Sequence, residues 1–203
     1  MLILASASPR RQELLRNAGI PFTVHAADIN ETPLAGESPR DCAERLAREK
    51  AVAVFQSRPQ DYVLGADTIV VVDDAILGKP RDAEDASRML RLLSGRTHAV
   101  ITGVCLVGKK VVSGQRPVAS GAGRTEDPEL RTASETTVVT MGALSDDEIR
   151  DYVATGEPMG KAGAYAIQGF ASRWVSRIEG DYNNVVGLPV ALVYAILREC
   201  GAI

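Results

Sequence analysis

Asp67 is the residue whose position most strongly indicates chemistry. It interrupts an apolar run over residues 63–72, which is rich in β-branched side chains and therefore predicts a strand covered on both faces. Removing a carboxylate from water is costly unless a cation or a metal compensates. Asp67 is therefore expected to act as a general base or a metal ligand. The less favoured alternative is an aspartate at a strand end or a bulge.

Lys50 carries the second signal, because a helix predicted over residues 39–55 places it on the apolar face. That face consists of small and aliphatic side chains at helical spacing: Ala43, Leu46, Ala47 and Val54. A lysine inside such a stripe needs an anionic partner or a catalytic task. A lysine that extends its ammonium group from the stripe edge to solvent fits the same pattern, so both interpretations stay open.

Two serines and two arginines follow the first predicted strand. Ser8 suits a helix N-cap and Pro9 suits the first helical position, so Ser6 and Ser8 lie where free backbone N–H groups point outward. Arg10 and Arg11 oppose the helix dipole, which favours acidic side chains there, and a bound anion would offset that penalty. The segment predicts, with equal weight, an anion site or two solvated surface arginines beside an ordinary cap.

Two weaker motifs add a lysine and an amide. Gly78-Lys79-Pro80 is a rigid turn that projects Lys79, and the glycine-rich residues 160–169 contain Gln168. Each is also typical of an ordinary turn or loop. The chain has no GxxxxGKS or GxxxxGKT phosphate loop and no well-placed GxGxxG, which argues against a Rossmann-type dehydrogenase. Only two histidines occur, which argues against a His-ligated zinc site and a Ser-His-Asp triad.

The elements that must position these residues alternate between strands and helices. Strands are predicted at residues 2–5, 63–72, 76–77, 97–107, 135–141 and 174–178, and helices at 9–19, 39–55, 82–94, 145–156 and 189–201. A hairpin is expected between 97–107 and 111–112. Residues 113–134, rich in Gly, Ser, Pro and charge, are expected to form a long mobile loop. This alternation with hairpins predicts a mixed-sheet α/β fold.

Composition narrows the class of protein. A chain of 203 residues that is 45% hydrophobic can form one large domain or two associated lobes. Its net charge of -3 argues against a general affinity for nucleic acid, and no run approaches the roughly 20 apolar residues of a membrane span. Three scattered cysteines without a CxxC pair are typical of reduced thiols, so a cytoplasmic protein is expected.

Taken together, these motifs resemble those of the Maf-like nucleotide pyrophosphatases. The matching segments are SASPRR at 6–11, DINE at 28–31, AREKA at 47–51, LGADT at 64–68, GKP at 78–80, LSGRTH at 93–98, KAGAYAIQG at 161–169 and GDY at 180–182. They cover nearly the whole chain in the family's order, which is far more specific than any one of them. Gly160 is a departure, because the family usually carries an acid before the lysine of the KAG motif.

The resemblance implies an inosine triphosphatase-like α/β fold, with an elongated mixed sheet flanked by helices. Residues 1–203 would form a single Maf-like domain of two lobes with a central cleft. The implied activity is hydrolysis of a nucleoside triphosphate to the monophosphate and pyrophosphate. The implied partner is a small-molecule nucleotide, with no nucleic acid or membrane, and a homodimer is expected.

The resemblance also assigns roles to residues. Asp67 would accept a proton, with Lys50 and Lys79 beside the phosphates. The implied substrate-binding residues are Ser6, Ser8, Arg10, Arg11, Thr68 and Gln168. Among them, Arg10, Thr68 and Gln168 match the branch that resembles the dTTP/UTP pyrophosphatases.

A divalent cation, Mg²⁺ or Mn²⁺, is expected to bridge the triphosphate and the carboxylates of Glu31 and Asp67. The alternative is a non-catalytic nucleotide sensor in division control, since members of the family have been linked to inhibition of septum formation. In that case Asp67 and the lysines would only hold the ligand.

Overall fold

A mixed seven-stranded sheet lies at the centre of the protein. The computed structural model describes residues 1–108 and 128–203. The strands are β1 (Leu2–Leu4), β2 (Thr23–Val24), β3 (Tyr62–Val72), β4 (Ala75–Leu77), β5 (Thr97–Gly108), β6 (Glu129–Met141) and β7 (Val175–Glu179). Their order is β2-β1-β3-β5-β6-β7, and β4 pairs with β3. The pairs that include β1 are parallel and the others antiparallel, which confirms the predicted mixed-sheet α/β class.

Six helices accompany the sheet in the described ranges: α1 (Pro9–Asn17), α2 (Pro39–Phe55), α3 (Ala83–Leu93), α4 (Asp146–Ala154), α5 (Tyr182–Val186) and α6 (Val190–Glu199). The five longer helices confirm the sequence predictions, whereas α5 is too short to show helical periodicity. Ser8, Ser38, Asp82 and Ser145 each cap a helix by accepting a backbone hydrogen bond. None of these helices combines the length and apolarity needed to cross a membrane.

The outer edge of β3 is interrupted in the middle. β1 pairs with residues 62–64 of β3, and β4 pairs with residues 70–72 of the same edge. Between them, residues 65–69 have no strand neighbour on that edge within the part of the chain that the structure describes. Asp67 therefore lies where the sheet is open on one side, although β5 pairs with it on the other.

Helix α2 packs directly on β3 and β5 because glycines face it. A β-carbon at Gly65 would lie 2.1 Å from the carbonyl oxygen of Ala47, and one at Gly103 would lie 2.3 Å from that of Ala43. Both positions are therefore closed to any larger residue at this separation. The contact brings Lys50 of α2 over the middle of β3.

The pairing of β5 corrects the predicted bounds of a loop. β5 pairs along both edges, with β3 and with β6. Residues 129–134 are the first part of β6 rather than part of a loop. Their polar composition hid the strand, since backbone hydrogen bonds to β5 order it regardless of side-chain type. Residues 111–112 and the remainder of the expected mobile loop, up to residue 127, lie outside the described residues.

His98 of β5 is buried in the core with an exposed fraction of 2%. Its Nε2 lies 2.8 Å from the hydroxyl of Tyr165, and the two rings meet edge to face. Its Nδ1 has no hydrogen-bond partner among the described residues. Burial lowers the pKa of His98 to about 4, so the ring is neutral at physiological pH.

We predict that Gly103→Ala destabilises the protein by about 1–3 kcal/mol, because the added methyl group meets helix backbone that no side-chain rotation can move. Urea unfolding would measure the change. Gly78→Ala is the matched control, since a β-carbon there meets nothing within 4 Å. Equal unfolding midpoints for the two variants would contradict this account of the helix–sheet contact.

We also predict that the free energy of unfolding falls as pH is lowered from 6.5 to 4. The pKa of His98 is depressed in the folded state, so the unfolded chain binds a proton in this range and the folded chain does not. The loss begins below the unfolded pKa of 6.5 and reaches its full size, about 3 kcal/mol, only below the folded pKa of about 4. Equilibrium unfolding across this range would test it with His98→Gln, which reduces the slope to the part contributed by carboxylates such as Glu31, and with His25→Gln, which retains the wild-type slope. A slope in His98→Gln as steep as that of the wild type would exclude His98 as a source.

Candidate active site

A cleft of about 650 Å³ opens at the interrupted edge of β3. The connection between β1 and α1 forms one part of its wall, and residues 159–162 and 165–168 form another. The cleft is lined by all ten of the residues predicted from the sequence: Ser6, Ser8, Arg10, Arg11, Glu31, Lys50, Asp67, Thr68, Lys79 and Gln168. The fold therefore collects in one place residues that are spread over most of the chain.

Two lysines and two carboxylates form a continuous chain in the cleft. The Nζ of Lys50 lies 2.5 Å from Oδ1 of Asp67 and 2.6 Å from Oε1 of Glu31. The Nζ of Lys79 lies 2.7 Å from the other oxygen of Glu31. Lys50 and Asp67 are 6% and 7% exposed, so Lys50 does not extend to solvent and Asp67 is not at a strand end. Of the two interpretations of Lys50, the structure supports the buried one with anionic partners.

The lysines fix the charge of Glu31. Partial burial alone raises the pKa of this carboxyl, but hydrogen bonds from Lys50 and Lys79, together with their charges, lower it to about 2. Glu31 is therefore ionised throughout the physiological pH range. Because Glu31 bridges both ammonium groups, a ligand oxygen that binds either lysine can take the place of a carboxylate oxygen of Glu31.

The cleft as a whole is cationic. Five cationic side chains line it, and two carboxylates oppose them: Arg10, Arg11, Lys50, Lys79 and Lys161 against Glu31 and Asp67. The formal charge of the lining is thus +3, in a chain whose net charge is -3. Such a local excess attracts an anionic ligand without making the surface generally basic.

The two N-terminal arginines differ in what they do. Arg11 is 9% exposed and donates to Ser6 Oγ at 3.1 Å, to the carbonyl oxygens of Ala66 at 2.9 Å and Gly187 at 2.8 Å, and to Thr68 Oγ1 at 3.0 Å. It therefore satisfies the carbonyl group of Ala66 on the open edge of β3. Substrate contact by these side chains stays a prediction.

Arg10 is half-buried, and it makes no hydrogen bond or ion pair with the described residues. Burial lowers its pKa, although the guanidinium group stays charged. The sequence alternatives were a bound anion or a solvated surface pair. In the structure, Arg10 lines the cleft with its guanidinium N–H groups available to a ligand, whereas the buried Arg11 uses its N–H groups to hold neighbouring segments together.

Carboxylates such as those in the cleft are ligands that hard divalent cations, among them Mg²⁺ and Mn²⁺, prefer. Within the described ranges no group of three or more His, Cys, Asp or Glu side chains could hold a metal. Glu31 and Asp67 offer two carboxylates that share Lys50 as neighbour. Mg²⁺ is often bound in this way, through one or two carboxylates, with substrate phosphates and water completing its shell.

Sequence reasoning missed Lys161 as a member of the lining. Its side chain is half-buried and donates to the carbonyl oxygen of Glu157, and burial followed by the charge of Arg10 lowers its pKa. The available signal was its glycine-flanked position, which resembles that of Lys79. Gly160, the departure from the family pattern, lines the cleft with φ of +72°, a conformation that favours glycine.

Comparison with known proteins finds relatives that match the chain over nearly its whole length. The family model described as Maf-like protein matches residues 1–200. The chain is 54% identical over 202 residues to the dTTP/UTP pyrophosphatase of Koribacter versatilis, covering 100% of this chain and 95% of that protein. It is 50% identical to the dTTP/UTP pyrophosphatase of Geobacter sulfurreducens, covering 100% and 97%.

Among solved structures, the chain is similar to a nucleoside-triphosphatase / dITP/XTP pyrophosphatase of Mycobacterium abscessus, with a TM-score of 0.43 and 15% identity over 99% of this chain and 95% of that one. The family model, by contrast, matches residues 1–200, and the two curated relatives are 54% and 50% identical over 202 residues. This protein therefore belongs to the Maf-like family.

Proposed function

We propose that this protein hydrolyses dTTP and UTP to the nucleoside monophosphate and pyrophosphate. The observation that carries the proposal is the buried Lys50–Asp67 pair, which lies in a cleft with a formal lining charge of +3. A triphosphate complements that charge, and a carboxylate beside it can accept a proton from water. The curated relatives named dTTP/UTP pyrophosphatase support the same reaction.

The proposed reaction uses the chain of charged residues in the cleft. Lys50, Lys79 and Arg10 bind the phosphate oxygens, which replace Glu31 as the partner of the lysines. Asp67 accepts a proton from a water molecule whose oxygen attacks the α-phosphorus. The bond from that phosphorus to its bridging oxygen breaks, and pyrophosphate leaves. Only Oδ1 of Asp67 is bonded to Lys50, and Oδ2 makes no hydrogen bond with the described residues, so it can take the proton.

A divalent cation, Mg²⁺ or Mn²⁺, fits this proposal, with Glu31 and Asp67 as its protein ligands. When bound, it would offset phosphate charge and favour ionisation of water. Glu31 pairs with both Lys50 and Lys79, so its release from the lysines and the binding of substrate phosphates to them are coupled. A cytoplasmic location, where nucleotides are abundant and thiols are reduced, suits the three free cysteines.

Gln168 is proposed to read the base. Uracil and thymine present acceptor, donor and acceptor groups along O2, N3–H and O4, whereas cytosine has an amino donor in place of O4. The Gln168 amide is exposed in the cleft and makes no hydrogen bond with the described residues, so it can pair with N3–H and O4.

We predict that Asp67→Asn keeps the fold but lowers kcat by roughly a hundredfold or more, because the amide retains the contact with Lys50 and cannot accept the proton. Pyrophosphate release from UTP, coupled to an added pyrophosphatase, would measure it beside thermal unfolding. Asp73→Asn is the control, since Asp73 is exposed in the β3–β4 turn. A folded Asp67→Asn variant with wild-type kcat would remove Asp67 from the reaction. UTP binding by the wild type without pyrophosphate release would favour the sensor instead.

We further predict that the wild type prefers UTP and dTTP to CTP by roughly ten- to a hundredfold, the usual effect of one mismatched polar group that the bound base shields from water. Gln168→Glu should selectively lower turnover of UTP and dTTP, because a carboxylate cannot donate to O4. Measurement of kcat/KM for UTP, dTTP, CTP and GTP on both proteins tests this, with the exposed Gln56→Glu as control. Equal losses for every substrate, or a wild-type preference for GTP, would show that Gln168 does not read the base.

A further inference from the structure

The side chain of Gln168 projects from a tight turn that has little support of its own. The turn is closed by a hydrogen bond of 3.0 Å from the N–H of Gly169 to the carbonyl oxygen of Ala166. Gln168 is exposed, and its side-chain amide makes no hydrogen bond with the described residues. A glutamine side chain has three rotatable bonds, so selective pairing with a base requires at least a fixed backbone beneath it.

Glu157 and Tyr152 provide that support from outside the cleft. The carboxylate of Glu157 accepts from the N–H of Phe170 at 3.0 and 3.2 Å, and from the hydroxyl of Tyr152 at 2.8 Å. The same hydroxyl accepts from the N–H of Ala166 at 3.2 Å. The two residues therefore hold the backbone two positions before Gln168 and two positions after it. Neither of them lines the cleft.

Two further features show that this support is built into the fold. A β-carbon at Gly169 would lie 2.4 Å from both carboxylate oxygens of Glu157, so the glycine allows the carboxylate to lie against the turn. Tyr152 is 3% exposed and packs edge to face on Trp174, with ring centres 5.3 Å apart. Its hydroxyl is therefore held in position by the core.

We infer that Glu157 is a positioning residue for substrate choice, which acts through Tyr152 and the backbone of residues 166–170 to fix the amide of Gln168. This inference rests on the proposed function, because it needs Gln168 to face the base. Glu157 touches no reacting atom in this scheme. Loss of the Glu157 carboxylate affects binding and discrimination of the base and leaves the hydrolytic step at Asp67 unchanged.

Glu157→Gln and Tyr152→Phe test the inference independently. In the first, the amide oxygen of the glutamine still accepts a hydrogen bond, but its NH₂ group replaces the other carboxylate oxygen and faces the N–H of Phe170. In the second, the bridge to Ala166 is deleted without loss of the ring. Each variant is expected to raise KM for UTP about five- to tenfold and to lower the UTP-to-CTP ratio of kcat/KM by the same factor, with kcat within about twofold of wild type. Added to Gln168→Ala, neither should lower the ratio further, because both act through the same side chain.

A structural role without positioning predicts a different result. Glu148→Gln is the matched control, since this carboxylate caps α4 and bonds to Trp174 without touching the turn. It is expected to lower the melting temperature and leave the substrate ratio unchanged. The inference is overturned if Glu148→Gln shifts the ratio as much as Glu157→Gln does. It is also overturned if both Glu157→Gln and Tyr152→Phe keep the wild-type ratio while Gln168→Ala loses it. A wild-type enzyme that hydrolyses UTP and CTP equally would instead overturn the proposed base recognition, and the inference with it.

Discussion

The close approach of α2 to the sheet is the constraint on which the rest of the site depends. At Gly65 and Gly103 the helix backbone occupies the volume that a β-carbon would fill, so the two layers lie closer than larger residues would allow. That separation lets Lys50 reach Asp67 inside the protein. A buried ion pair adds little net stability, because the loss of hydration opposes the attraction between the charges. The pair therefore contributes to the chemistry of the site more than to stability, and the packing of α2 makes it possible.

The interruption in β3 gives this chemistry access to a ligand. A fully paired strand would present its backbone to neighbours on both edges, and no cleft could form there. β1 and β4 instead leave residues 65–69 open on one edge, and Arg11 donates to the carbonyl oxygen of Ala66 within that opening. An unpaired buried carbonyl group would be costly, so the guanidinium group stabilises the exposed edge. Side chains of β3 on both faces of the sheet, Asp67 and Thr68, consequently meet in a single cavity.

The charged side chains of the cleft are arranged so that the lysines can exchange a carboxylate partner for a phosphate group. Lys50, Lys79, Glu31 and Asp67 neutralise one another, and the excess positive charge comes from the remaining arginines and lysine of the lining. Buried Lys50 therefore has two carboxylate partners and is not an unpaired charge in the interior, and exposed Lys79 shares one of them. An incoming triphosphate offers oxygens of the same kind, so it can replace Glu31 without leaving an ammonium group unsatisfied.

The sequence by itself identified Asp67, because a carboxylate inside a β-branched apolar run is recognisable from its immediate neighbours. It also predicted α2 and the central strands, and its ordered motifs collected the residues that line the cleft. Only the tertiary structure decided that Lys50 is buried with partners, that Arg11 is a support, and that residues 129–134 form a strand. Each of these depends on contacts between segments far apart in the chain, such as Arg11 with the carbonyl group of Gly187. Local periodicity reports which face of an element is apolar, but the identity of the group that meets that face is set by the packing of the whole chain.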